Sequence, residues 1–219
     1  MSRRIRIFIL SLTILPLISL SAFADALNTA IDEVQTRWAN ITYHVIGDYN
    51  RDNAYSQLET VLEKLAAEYP ERAEVKIWDG IVLSTHASVA GSFSALRMVK
   101  AAREQLEEAL EIDDKALDGS AYTSLGSLYY QVPGWPLAFG SDEKAEENLI
   151  HALTINPRGI DPNYFFGDYL FRQGRFEEAK KALETALAAP DRPGRALADA
   201  GRRQEVRALM DKINKKTGS

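Results

Sequence analysis

Catalysis needs reactive side chains at workable spacings, and this chain offers few. It has three histidines, His44, His86 and His151. None has the i, i+4 partner or the nearby pair of carboxylates that a zinc site needs, so no metal is expected. Cysteine is absent, which removes thiolate nucleophiles, thiolate metal sites and disulfides. The chain contains no G-x-S-x-G elbow, phosphate loop or dinucleotide fingerprint. An enzyme would require Asp161, Asp168 and His151 to converge in one cleft. The residues therefore read as non-catalytic and without a cofactor.

Two groups are better suited to recognition. The first is Val132-Pro-Gly-Trp-Pro-Leu-Ala-Phe-Gly140, where two prolines restrict the backbone and Trp135 and Phe139 carry large apolar surface. A solvated linker would be polar, so this one is packed or bound. In one reading Trp135 and Phe139 fold back over Tyr129 and Tyr130. In the other they line a groove with Tyr164, Phe165 and Tyr169, since aromatic rings with polar tips suit recognition surfaces. The second group is the density of charge in the last third: Asp142, Arg158, Asp161, Asp168, Arg172, Arg175, Arg192, Arg195, Asp199, Arg202 and Arg203. An arginine fork there, with Arg202 as the chosen residue, could grip a carboxylate. The alternative is that these arginines pair with Asp161, Asp199 and Glu205 and fix the terminal helix.

The elements that carry these groups are helical almost throughout. Leu27, Ile31, Val34, Trp38 and Ile41 recur at three- and four-residue intervals and make one apolar face. Residues 47–53 read as a turn cluster. A second amphipathic helix carries Tyr55, Leu58, Val61, Leu62 and Leu65 and stops at Tyr69-Pro70, because proline cannot extend the hydrogen-bond ladder.

Internal repetition follows. Gly140, Glu143, Ala145, Leu149, Ala152 and Leu153 recur 34 residues later as Gly174, Glu177, Ala179, Leu183, Ala186 and Leu187. That is the tetratricopeptide period. Residues 160–190 resemble a nearly complete repeat of that family, with Asn163 in place of a large residue. Gly167 and Ala179 are expected where two antiparallel helices approach closely, Leu183 and Ala186 against the next repeat, and Gly174 at a helix end with positive φ. Gly126 aligns with Gly167 after a seven-residue insert, and Gly80 with Gly126 after a ten-residue insert near His86–Met98. Both inserts fall between the helices of a repeat, on the edge where insertions build binding faces. A last helix, from about Leu197 to Ile213, should cover the final repeat with Val206, Leu209 and Ile213. The expected fold is an all-α solenoid of irregular helical hairpins with a C-terminal capping helix.

Composition sets the compartment. Arg3, Arg4 and Arg6, an apolar run over Ile7–Leu20 and Ala22-Phe23-Ala24 read as a cleaved signal peptide over residues 1–24, leaving a single domain over 25–219. Its loss takes the formal charge from −5 to −8, which disfavours nucleic acid as a partner. With no cysteine to lipidate, the expectation is a periplasmic protein without a stable membrane anchor and not a lipoprotein.

Three stretches are more particular: LGSLYYQVPGWPLAFGSDEKA, INPRGIDPNYFFGDYLFRQG and APDRPGRALADAGRRQE. With the His-Ala-Ser segment at 86–88 they resemble the T component of the TRAP-type transporters, a periplasmic all-helical family with irregular tetratricopeptide repeats. Lipoproteins are common in that family, and the missing cysteine is a departure. The resemblance implies association with a periplasmic solute-binding protein and a groove or channel for a small apolar or organic-acid ligand. A different function is also consistent with the repeats, a cell-envelope assembly or chaperone-like adaptor that recognises peptides.

Overall fold

A computed structural model describes residues 18–218, with side chains from residue 25 onward. Residues 1–17 of the expected signal peptide lie outside the described residues, and residues 18–24 belong to the first helix. The described chain is all-α: α1 (Ile18–His44), α2 (Asp48–Glu68), α3 (Ala73–Ala87), α4 (Ser92–Ile112), α5 (Ala116–Gln131), α6 (Asp142–Ile155), α7 (Ile160–Arg172), α8 (Phe176–Leu187) and α9 (Ala196–Thr217). Among these residues no helix is long and apolar enough to cross a membrane.

Successive helices pair as antiparallel hairpins, and one device sets their spacing. A Cβ added at Gly80 would stand 2.6 Å from Leu106 Cγ, at Gly126 2.6 Å from Leu149 Cγ, and at Gly167 2.8 Å from Leu183 Cγ. In each case a carbonyl of the facing helix, on Ala102, Ala145 or Ala179, lies just beyond. The missing side chain lets the backbones close around a leucine, so the three aligned glycines mark three equivalent hairpins. This relocates one expectation: Leu183 fills the notch at Gly167 inside its own repeat, because a glycine opposite leaves room for it there.

Two other expectations change. Residues 47–53 are not one turn, since α2 starts at Asp48 and the reversal is made by Gly47 at φ 87°. Asn50 and Asn53 donate side-chain hydrogen bonds to Ile46 O and Tyr49 O, so these turn-forming residues sit inside a helix without an unmet donor. The ten-residue insert near His86–Met98 is not a loop. It lengthens α3 and α4, which meet at the short turn Ser88–Gly91. His86 braces this extended hairpin: it is buried, with its ring nitrogens 2.6 Å from Glu59 Oε1 and 2.9 Å from Asp52 Oδ1 on α2. Asn163 is also buried and donates to the Pro157 and Gly159 carbonyls, so it ties the α6–α7 turn where a large residue would pack. Gly174 has φ 74°, the left-handed conformation expected at a helix end.

The terminal helix does more than cap. Its C-terminal half, through Val206, Leu209 and Ile213, joins the core built by α3 to α8. Its N-terminal half, through Ala198, joins the core of α1, α2 and α3. The inner helices therefore touch in the order α1, α3, α5, α7, α9 and back to α1. The solenoid closes into a ring of five inner helices, with α2, α4, α6 and α8 outside. At the seam α9 approaches α1 so closely that a Cβ on Gly201 would lie 2.4 Å from the Tyr43 ring.

Candidate ligand cavity and docking edge

Ring closure frames a half-open cavity of about 1180 Å³ that every inner helix helps to line. Its apolar wall includes Trp38, Trp78, Ile81, Leu96 and Val99. Facing residues on α5 are small and hydroxylic, among them Ser120, Ser124 and Ser127. Both inserts reach it, the longer through α3 and α4 and the shorter through Val132, Pro133 and Leu137. The first turn of α5, Leu117 and Asp118, also lines it and has left-handed backbone at φ 49° and 56°. That conformation is costly for residues other than glycine.

One end of the cavity is charged. Arg192 donates to Asp199 Oδ1 at 2.7 Å and to Asp161 Oδ2 at 2.6 Å, and Arg202 donates to Asp161 Oδ1 at 2.7 Å and to Glu205 Oε2 at 2.5 Å. Arg203 pairs with Asp191. Burial raises the Asp161 carboxyl, but Arg202, Arg192 and Arg195 outweigh it and hold the group well below the usual carboxylate range. This network joins the start of α7 to the α8–α9 loop and to α9, so the arginines do fix the terminal helix. Arg202 also stacks on aromatic rings, with its guanidinium 4.5 Å from the Tyr164 ring centre and 4.6 Å from that of Phe165. Burial leads the effects that push the Tyr164 hydroxyl up to about 12, with Glu205 and Asp168 adding and Arg202 opposing.

The eight residues singled out from sequence separate into three places. Arg202 and Phe165 line the cavity. Tyr129, Tyr130, Tyr164, Tyr169 and Phe139 serve helix packing. Tyr129 is buried, donates to Glu107 at 3.2 Å and takes the Phe139 ring edge-on at 5.7 Å. Arg103 covers the other side of Phe139, 4.6 Å from its centre. Tyr130 donates to Asp168 at 2.9 Å, and Tyr169 is buried beside it. Trp135 stands apart at 88 % exposed. The aromatic insert thus divides, with Phe139 folded back over Tyr129 and Trp135 held out. Its neck is tied by Gly140 N–H to Pro133 O at 2.9 Å and Ser141 N–H to Tyr129 O at 2.8 Å. A side chain on Gly140 would collide with the Val132 carbonyl.

Trp135 has company. Most of the large apolar residues left exposed sit where hairpins turn: Ile46 between α1 and α2, Tyr49 at the start of α2, Phe93 at the start of α4, and Trp135 and Leu137 between α5 and α6. They mark one edge of the solenoid. Sequence reasoning took Trp38 for core only and passed over Trp78. No spacing in the sequence separates these two tryptophans, as cavity-lining, from ordinary core residues.

Asp161, Asp168 and His151 engage separate partners: arginines, Tyr130 and Arg172, and the Tyr122 ring at 4.0 Å. Among the described residues no group of histidine and acidic side chains could hold a metal ion.

Fold and site together define a helical-repeat protein of the interaction or scaffold class, a fold that is typically non-catalytic. Residues 160–190 match the family model of the tetratricopeptide repeat, the hairpin α7–α8 with its flanking turns. No curated protein matches the chain.

Proposed function

We propose that this is a non-catalytic periplasmic binding and scaffold protein, an accessory component of a TRAP-type solute transporter that docks a partner protein and holds a small ligand. The observation that carries this reading is the cavity of about 1180 Å³ inside the closed helical ring. Small-molecule sites are concave, mostly apolar spaces of roughly 300–1,000 Å³ with a few placed polar groups, and this one has that character at slightly larger size. Docking is supported by the exposed aromatic residues at the hairpin turns, since large apolar groups left in water mark interaction surfaces.

The test uses the full chain expressed for export. Fractionation and N-terminal sequencing should give a periplasmic protein starting at Asp25. Pull-down from periplasm should recover a solute-binding protein with the wild type, and lose it with a Phe93→Ser, Trp135→Ser variant of unchanged melting temperature. Equal recovery by both would refute the docking edge. Small molecules released on denaturation and identified by mass spectrometry should be solutes rather than peptides. Peptides instead would favour the envelope adaptor.

A further inference from the structure

The charged end of the cavity is not evenly satisfied. Arg192 and Arg202 are each held by two carboxylates, and the Asp161 carboxylate has one oxygen on each arginine. Arg195 lines the same cavity, three residues from Arg192, yet its side chain makes no hydrogen bond or ion pair among the described residues. Its Nε is buried with no acceptor, and its guanidinium carbon sits 5.4 Å from the centre of the Trp78 ring. Among the described residues the buried Trp78 indole N–H has no acceptor either. These two unmatched donors adjoin behind the cavity surface, where leaving them unmet costs free energy, and the terminal nitrogens of Arg195, with no partner among the described residues, are the donors left for the cavity. Burial and then the positive charge of Arg192 make the Arg195 cation less favourable than usual, which an arriving anion would relieve.

We propose that the cavity binds a small organic monocarboxylate, with Arg195 as the anchor for its carboxylate and the Trp78, Ile81, Leu96 and Val99 wall for its apolar body. The proposal rests on the reading of this cavity as a ligand site and names its ligand class. A guanidinium presents paired N–H donors that match a carboxylate. One acid group is specified because the neighbouring arginines are already engaged by Asp161, Asp199 and Glu205. The apolar wall beside the anchor excludes free inorganic anions as good ligands, since they would leave that surface unfilled.

The experiment compares 3-phenylpropionate with 3-phenylpropan-1-ol by isothermal titration of the mature chain, supported by indole fluorescence in a Trp135→Phe background. That background leaves Trp38 and Trp78 as the reporters. The carboxylate should bind saturably and at least tenfold more tightly than the alcohol. Arg195→Ala should abolish that preference while leaving alcohol binding within twofold, and Arg195→Lys should keep part of it. Arg207→Ala, which removes an exposed cation elsewhere on α9, should change nothing. Helical content and melting temperature serve as folding checks. Equal binding of both probes, or an Arg195→Ala variant that keeps the preference, would overturn the anchor and leave the ligand cavity standing. Failure of both probes to bind would overturn the two together.

Discussion

Replacing Gly126 by alanine tests the packing rule that builds the hairpins. The new Cβ would stand 2.6 Å from Leu149 Cγ, 3.0 Å from its Cδ2 and 3.2 Å from the Ala145 carbonyl oxygen. Carbon pairs settle at roughly 3.5–4.0 Å, so about 1 Å of separation has to be found. Leu149 is fully buried, and the struck atom is its branch point, so a swing of the side-chain tip does not relieve the contact. Overpacking of this kind costs about 1–3 kcal/mol. Against it, alanine is better than glycine in a helix interior by about 1 kcal/mol. With the branch point struck, the upper part of the strain range applies and the net loss should be about 1–2 kcal/mol. Leu149→Ala alone should cost about 2–5 kcal/mol, through lost burial and a residual cavity. In that background the obstacle is gone and only the oxygen contact remains, so Gly126→Ala should be neutral or stabilising by up to about 1 kcal/mol. The assay is urea unfolding followed by circular dichroism for the wild type, both single variants and the double variant, with unchanged m-values required. An equal loss from Gly126→Ala in both backgrounds would refute the notch-and-leucine account, and the same inversion should appear for Gly167→Ala with Leu183→Ala.

Other outcomes follow from the same geometry. Gly201→Leu should force α9 from Tyr43 and open the ring, seen as faster amide exchange in α1 and α9 with hairpin α5–α6 unchanged; uniform protection would contradict the closure. Asp79 has its carboxyl raised to about 6, by burial first and then by Glu59 and Glu63. Its folded pKa lies above the unfolded value, so the stability it contributes is present below about pH 4 and lost as pH rises through 6. Asp79→Asn should therefore stabilise the protein at pH 7 by about 1–3 kcal/mol, and an unchanged denaturation midpoint would refute this. Asp161 acts in the opposite sense: its lowered carboxyl contributes stability above its ordinary value of 3.8 that is lost as pH falls below it. Asp161→Asn should cost about 3–5 kcal/mol at pH 7, since it strips a carboxylate from two partly buried arginines, and should make unfolding between about pH 4 and 2 less acid-dependent. Ser141 accepts from Lys144 N–H at 3.3 Å, so Ser141→Ala should lower stability by about 1 kcal/mol, read from the thermal midpoint.

Much of the fold was legible because helical repeats write their packing as local periodicity. Leu27, Ile31, Val34, Trp38 and Ile41 recur on one face, and that face is buried. Gly80, Gly126 and Gly167 could be aligned from spacing alone because each must clear a partner leucine. The candidate site was legible in part. Arg202 and Phe165 reach the cavity, but five of the chosen aromatic residues pack between helices, and sequence cannot say on which side of a helix hairpin a ring will close. The ten-residue insert was read by position, while its helical form depends on contacts such as His86 with Glu59 and Asp52, which lie 27 and 34 residues away.

The residues by themselves determined the hairpins, their order, their notches and the charge-rich end of the chain, since each depends on spacing within a few helical turns. Only the tertiary structure decided that α9 returns to α1 and makes a ring. That closure depends on small rotations summed over successive hairpins and on one close approach, Gly201 against Tyr43. It also decided which arginine is left over. Arg192, Arg195 and Arg202 are equivalent as letters, and the positions of Asp161, Asp199 and Glu205 in space leave Arg195 without an ion-pair partner among the described residues.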